Sequence, residues 1–182
     1  MKRVNKTRFA ILGCLSVKPM SAYDIKAFMA RSTSYFWMEY EAQLYPMLKK
    51  LDETGEVSCV EEKAQKVSTR KIYHITDKGM EVLKEWLSSK TEQANYRNEF
   101  LLKIFFSNQI EKPVVIKQLE LYRHDVLNDL ETFDHIQKNV LPEKAHDKRH
   151  VFRQATLNYG LHILQAELAW CDESLNLITH TE

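Results

Sequence analysis

Between residues 40 and 51 the chain runs Tyr-Glu-Ala-Gln-Leu-Tyr-Pro-Met-Leu-Lys-Lys-Leu, and two kinds of residue recur there at helical spacing. Tyr40, Leu44, Met47, Leu48 and Leu51 share one side of a helix and suit a core. The other side carries Ala42, Tyr45, Pro46 and Lys49, flanked by Gln43 and Lys50. These residue types suit a nucleic-acid groove. An amide such as Gln43 can donate to and accept from an adenine edge at once, a phenol such as Tyr45 reaches a base or a phosphate, lysines such as Lys49 and Lys50 neutralise phosphates, and the small Ala42 permits close approach. The plain alternative is a solvated polar face, with Tyr45 turned inward as part of the core.

Such a helix needs neighbours to hold it. Residues 4–17 carry Phe9, Ile11, Leu12, Cys14, Leu15 and Val17 without a breaker before Pro19, which predicts a well-buried first helix. A second helix opens at Ser21, where a hydroxyl followed three positions later by Asp24 matches a capping box, and its apolar stripe is Ala22, Ile25, Phe28 and Met29. Tyr23 and Lys26 fall outside that stripe as phosphate candidates. Pro46 is accommodated if the third helix starts near Gln43, so that the proline falls in its first turn, and Gly55 ends the helix.

Past Gly55 the period changes. Val57, Cys59 and Val60 suit a short strand, Arg70 to Ile75 suits its hairpin partner, and residues 61–69 form a polar tip. Arg70 and Lys71 at the base of the hairpin are candidates for a phosphate or the minor groove, while lysine on a hairpin also serves simply to protect a strand edge. A helix then opens at Thr76-Asp77-Lys78-Gly79. Three helices, a hairpin and a helix in about 90 residues is the order of a winged helix-turn-helix.

The remainder is helical. Phe100-Leu-Leu-Lys-Ile-Phe-Phe106 is too apolar for a solvated surface and is expected in a core or an interface. A long helix follows from Pro113, and the last one carries Leu157, Leu161, Leu164, Leu168, Cys171, Leu175 and Ile178 in steps of four and three, a heptad seam. That seam pairs either with the preceding long helix of the same chain or with a second copy; it is taken here as the dimer interface. The aromatics Phe36, Trp37, Phe100, Phe105 and Trp170 are either packing or the walls of a small-ligand pocket. The fold class is therefore mainly α. Residues 1–90 form a winged helix-turn-helix with a small β-hairpin, and residues 91–182 an all-α dimerisation domain.

Composition limits the function classes. Hydrophobic residues make up 44% and charged residues 28% of 182 residues, the balance of an ordered soluble chain. No apolar run reaches the roughly 18 residues of a membrane span, and the opening Met-Lys-Arg-Val-Asn-Lys is no secretory signal, so a cytoplasmic protein is expected. Lys and Arg number 16 against 11 Asp and Glu in residues 1–90, and 10 against 14 in residues 91–182, so a half of net charge +5 is joined to one of −4. Only the first half is suited to a polyanion. The three cysteines form no Cys-x-x-Cys pair, and no metal or cofactor is expected. His146 and His150 have a helical ligand spacing but no third ligand beside them. With four glycines, no phosphate-cradling loop and no nucleophile elbow, an enzyme is not expected.

Ser21-Ala-Tyr-Asp-Ile25, Phe36-Trp37, Gln43-Leu-Tyr-Pro-Met-Leu-Lys-Lys-Leu51, Arg70-Lys-Ile-Tyr-His-Ile-Thr-Asp-Lys-Gly79 and Glu99-Phe-Leu-Leu-Lys103, in this order and spacing, resemble the PadR family of transcription regulators. The longer helical tail is similar to the branch with a long carboxy-terminal domain. The resemblance implies a homodimer on a pseudo-palindromic duplex DNA operator, often a repressor released by a small aromatic effector such as a phenolic acid. A ligand-independent activator and a winged-helix module that binds a protein partner are the alternatives. The sequence departs from the family pattern at Glu56, where an apolar residue usually follows the glycine, and at the wing tip, residues 63–68, which lacks the usual glycine.

Overall fold

In a computed structural model, residues 5–37, 41–63, 69–92, 97–140 and 148–181 are described. The wing tip at 64–68, Tyr40, His146 and Asp147 lie outside them. The chain divides into two compact units, Met1–Gln93 and Ala94–Glu182.

The amino-terminal unit contains α1 (Thr7–Leu15), α2 (Ala22–Ala30), α3 (Glu41–Glu53), the antiparallel strands β1 (Val57–Lys63) and β2 (Thr69–Ile75), and α4 (Asp77–Ser88). Its core is assembled from one stripe of each helix. Ile11, Leu12 and Leu15 meet Ile25 and Met29 of α2, Leu44, Met47, Leu48 and Leu51 of α3, Val57, and Leu83 of α4. Each fully buried leucine or isoleucine contributes about 1.5–3 kcal/mol, so this shared stripe, and not helix propensity, is what holds short helices together. Phe9 of α1 stacks on Trp86 of α4 with ring centroids 4.6 Å apart. Burial pushes the Cys14 thiol up to about 12, so it stays protonated at neutral pH.

The capping box at the start of α2 is present in full: Asp24 N–H donates to Ser21 Oγ, and Asp24 Oδ2 accepts from Ser21 N–H at 3.0 Å. Two expectations need correction. The helix α3 begins at Glu41 and not near Gln43, which places Pro46 beyond the first turn; lacking an N–H, it has nothing to offer the Ala42 carbonyl one turn back. The ladder also runs past Val60, pairing Glu61 with Lys71, Glu62 with Arg70 and Lys63 with Thr69, so much of the expected polar tip is strand. Gly55, at φ 71°, takes the left-handed turn that ends α3, and Glu56 N–H closes it on the Leu51 carbonyl at 2.9 Å.

The carboxy-terminal unit contains α5 (Glu99–Phe105), α6 (Lys112–His135) and α7 (Lys148–His180), with a 3-10 turn at Ser107–Gln109. The two long helices are antiparallel. Lys112 Nζ donates to the Thr179 carbonyl at 3.0 Å, Arg123 Nε meets Asp172 at 2.6 Å, and Gly160 lies against Phe133. No described helix is long and apolar enough to cross a membrane.

At Gly160 the helices approach so closely that a Cβ would lie 2.3 Å from Phe133 Cε1. Alanine adds about 1 kcal/mol of helix propensity but must push a buried ring aside, which costs about 1–3 kcal/mol. Gly160→Ala is therefore expected to destabilise by about 1 kcal/mol in denaturant unfolding. Stabilisation instead would mean that the ring yields freely.

Candidate nucleic-acid interface

The stripe of α3 turned to the core leaves Ala42, Gln43, Tyr45, Pro46, Lys49 and Lys50 exposed. Tyr45 is 57% exposed, which removes the inward-packed alternative. Lys49 Nζ lies 3.8 Å from Glu53 on the next turn, a surface pair that a phosphate can displace at little cost. The Gln43 amide is anchored from behind: its Oε1 accepts from the hydroxyl of Thr7, a buried residue of α1, at 3.1 Å. A carbonyl oxygen has a second lone pair, so the anchored amide retains an acceptor as well as its NH2 donors for an outside partner. Thr7 is a part of the site that periodicity could not reveal, because a threonine in an apolar helix carries no signal of its partner.

On α2, Tyr23 is 72% exposed and Lys26 is exposed. Arg70 and Lys71 are exposed on β2, and both meet carboxylates. Lys71 Nζ is 3.9 Å from Glu61 across the ladder, too loose and too solvated to hold it. Arg70 is different. Its Nη2 reaches Ser21 Oγ at 2.9 Å and Asp24 Oδ2 at 2.5 Å, joining the hairpin to the start of α2.

Partial burial opposes the charge on Asp24, but hydrogen bonds from Ser21 and the pull of Arg70 outweigh it and hold the carboxyl below its ordinary value of 3.8. A folded-state value below the unfolded one contributes stability that is complete above 3.8 and disappears as the pH falls through the folded value. The stability difference between wild type and Asp24→Ala is therefore expected to be full at neutral pH and to close below that point. A difference that stays constant far into the acid range would assign the contribution to packing.

Glu56, a departure from the family pattern, is 3% exposed. Its Oε2 meets Arg8 Nε of α1 at 2.6 Å, and its Oε1 accepts from Thr54 Oγ1 at 2.9 Å. The same residue's carbonyl accepts from Thr76 N–H at 3.1 Å. Helix α1, the end of α3, the start of the hairpin and the start of α4 are thus tied at one buried group.

The aromatic set is divided between the units. Phe36 and Trp37 are exposed in the first. In the second, Phe100 stacks on Tyr122 at 4.4 Å and meets Trp170 edge-on at 6.1 Å, so two of the expected residues are brought together by a third that the sequence did not single out. Phe105 is elsewhere, 79% exposed and touching Phe106. The heptad seam is also spent differently from the expectation. Leu157 and Cys171 are buried, and Leu161, Leu164, Leu168, Leu175 and Ile178 half-buried, along the paired α6 and α7 of one chain. The reason is that α6 supplies a matching stripe in Val115, Leu119, Val126 and Phe133. The apolar side chains left outside in this unit are others, among them Leu102, Phe105, Phe106 and Ile110 beside α5, and Phe152, Tyr159 and Leu177 on α7. Among the described residues no group of three His, Cys, Asp or Glu side chains is placed to hold a metal ion.

Comparison with known proteins adds to this geometry. Residues 11–85 match the family described as "Transcriptional regulator PadR-like family", and residues 96–179 match "Virulence activator alpha C-term". The negative transcriptional regulator PadR of Bacillus subtilis strain 168 is 32% identical over 100 residues, a segment spanning 54% of this chain and about half, 55%, of that protein. The crystal structure of Bacillus subtilis PadR in complex with operator DNA superposes with a TM-score of 0.86 over 96% of this chain and 99% of that one, at 23% identity. Its complex with p-coumaric acid gives 0.81 over 97% and 100%, at 22% identity. The Vibrio cholerae virulence activator AphA gives 0.74 over 95% and 98%, at 26% identity. The shared fold is a winged helix-turn-helix followed by an all-α domain.

Proposed function

Because residues 11–85 match the PadR-like family of transcriptional regulators, a family of regulators and not of enzymes, we propose that this chain belongs to that family and binds an operator as a homodimer through α3 and the hairpin. The observation that carries this reading is the outward face of α3, where an anchored amide, an exposed phenol and two lysines stand together above a fully buried inner stripe. In this reading Gln43 and Tyr45 meet base edges, Ala42 allows the approach, and Tyr23, Lys26, Lys49, Lys50 and Lys71 meet phosphates. The apolar residues exposed on the carboxy-terminal unit meet a second copy, which would otherwise leave a large unshielded patch in water. Two-fold symmetry then sets half-sites about 10 base pairs apart or a multiple of that.

The effector class is proposed from the relative crystallised with p-coumaric acid: a small aromatic acid that shifts the dimer toward a form with poor fit to DNA. Phe100 and Trp170, with Tyr122, are the aromatic surface to examine first.

The test is selection from a random duplex pool, followed by a gel shift in which specific but not scrambled duplex competes, with and without p-coumaric acid. A protein that enriches no duplex and instead captures a protein partner would be an interaction module. Gln43→Ala is expected to relax preference at one position in each half-site by roughly tenfold, as for the removal of one bidentate hydrogen-bonded pair. An unchanged selected sequence would remove Gln43 from base reading.

A further inference from the structure

We propose that Arg70 is a positioning residue: acting through Asp24 and Ser21, it fixes the hairpin against α2 so that wing and α3 meet one duplex in register, and it does not itself bind phosphate. The proposal rests on reading α3 and the hairpin as a DNA interface.

The hairpin is attached to the start of α2 at two points. One is a pair of backbone bonds between Met20 and Tyr73, at 3.2 and 2.9 Å. The base of the hairpin is held by Val57 in the core and by Glu56, and this bridge lies partway along β2, so among the described residues the part of the hairpin nearer its tip has no backbone tie to α2. The second is Arg70, whose backbone lies three residues farther along β2, about 10 Å from that of Tyr73, and whose guanidinium reaches back to Ser21 and Asp24 beside Met20. The two ties are separated along β2, so the Arg70 side chain braces the strand against rotation about the bridge. Helix α2 transmits this constraint, because Ile25 and Met29 belong to the same buried cluster as Leu44 and Leu48 of α3.

The carboxylate at the other end of this tie argues against a phosphate role. Asp24 Oδ2 accepts from Ser21 N–H, Ser21 Oγ and Arg70 Nη2 together. A phosphate drawing Arg70 away would come close to an aspartate left with its full charge, and like charges repel. Exposed cations with only loose partners, such as Lys49 and Lys71, carry less of this penalty, because Glu53 and Glu61 are well solvated and lie farther from them.

The two roles predict opposite signs. If Arg70 acts through Asp24, Arg70→Ala and Asp24→Ala each weaken a pool-selected duplex by roughly two- to fivefold, and the double variant is no weaker than the weaker-binding single. The salt slope of Arg70→Ala then stays at the wild-type value, and hydrogen exchange of the intact protein rises over residues 20–25 and 69–75 in both variants. A phosphate ligand would behave otherwise. Asp24→Ala would then bind more tightly, freed of a repelling charge, and Arg70→Ala would lower the salt slope by about 0.9 for each phosphate that Arg70 had neutralised. Either result overturns the assignment, as does unchanged exchange in Arg70→Ala. A wild type that enriches no duplex at all overturns the DNA reading beneath it, which the exchange measurement tells apart.

Discussion

Arg8→Ala is expected to cost the amino-terminal unit about 2–3 kcal/mol, out of proportion to the half-exposed side chain it removes. The cost arises at the partner. Glu56 is buried, and without Arg8 its carboxylate retains the Thr54 hydroxyl but no compensating charge. Removing one member of a buried pair typically costs about 3–5 kcal/mol, and a value at or somewhat below the lower end applies because Arg8 is itself partly in water. The companion experiment separates this from lost packing. Arg8→Met with Glu56→Leu restores an apolar residue after Gly55, and the double variant is expected to recover most of the loss, since replacing both members of a buried pair with apolar groups is often neutral. Denaturant unfolding followed by circular dichroism reads both. A double variant as unstable as Arg8→Ala would mean that the ion pair is itself needed to join α1 to the hairpin.

The largest functional effect is expected from Lys49→Ala with Lys50→Ala. In a dimer this removes four positive charges from the face of α3, and affinity for duplex at moderate salt should fall roughly ten- to a hundredfold or more. The more telling measure is the dependence of log affinity on log salt, whose slope should shrink by about 0.9 for each phosphate no longer neutralised. Glu53, paired with Lys49 in wild type, adds an unbalanced negative charge to the variant. Lys117→Ala, an exposed lysine on α6, serves as control and is expected to leave the slope alone. Equal slopes in all three proteins would take α3 off the phosphate backbone.

Much of this architecture can be read directly from spacing. The inner stripe of α3, the capping box of Ser21 and Asp24, the closing turn at Gly55 and the change to strand at Val57 are local signals, each determined within one or two turns of chain. The outward set Ala42, Gln43, Tyr45, Lys49 and Lys50 was legible for the same reason: a helix with one apolar side has only one other side to present.

What depended on residues far apart in sequence was not legible. Glu56 looked like a departure from pattern until Arg8, 48 residues away, was found beside it. Arg70 looked like a free cation until Asp24, 46 residues away, was found holding it. The heptad seam of α7 shows the limit most plainly, since its period states that a partner helix exists but not whose, and α6 of the same chain meets the need. Sequence alone therefore determined the elements, their faces and the kind of chemistry one face offers, because periodicity and capping are local properties of the backbone. Only tertiary structure decided which charges are committed and which apolar surfaces remain uncovered, because charge pairing and burial depend on neighbours that only folding brings within reach.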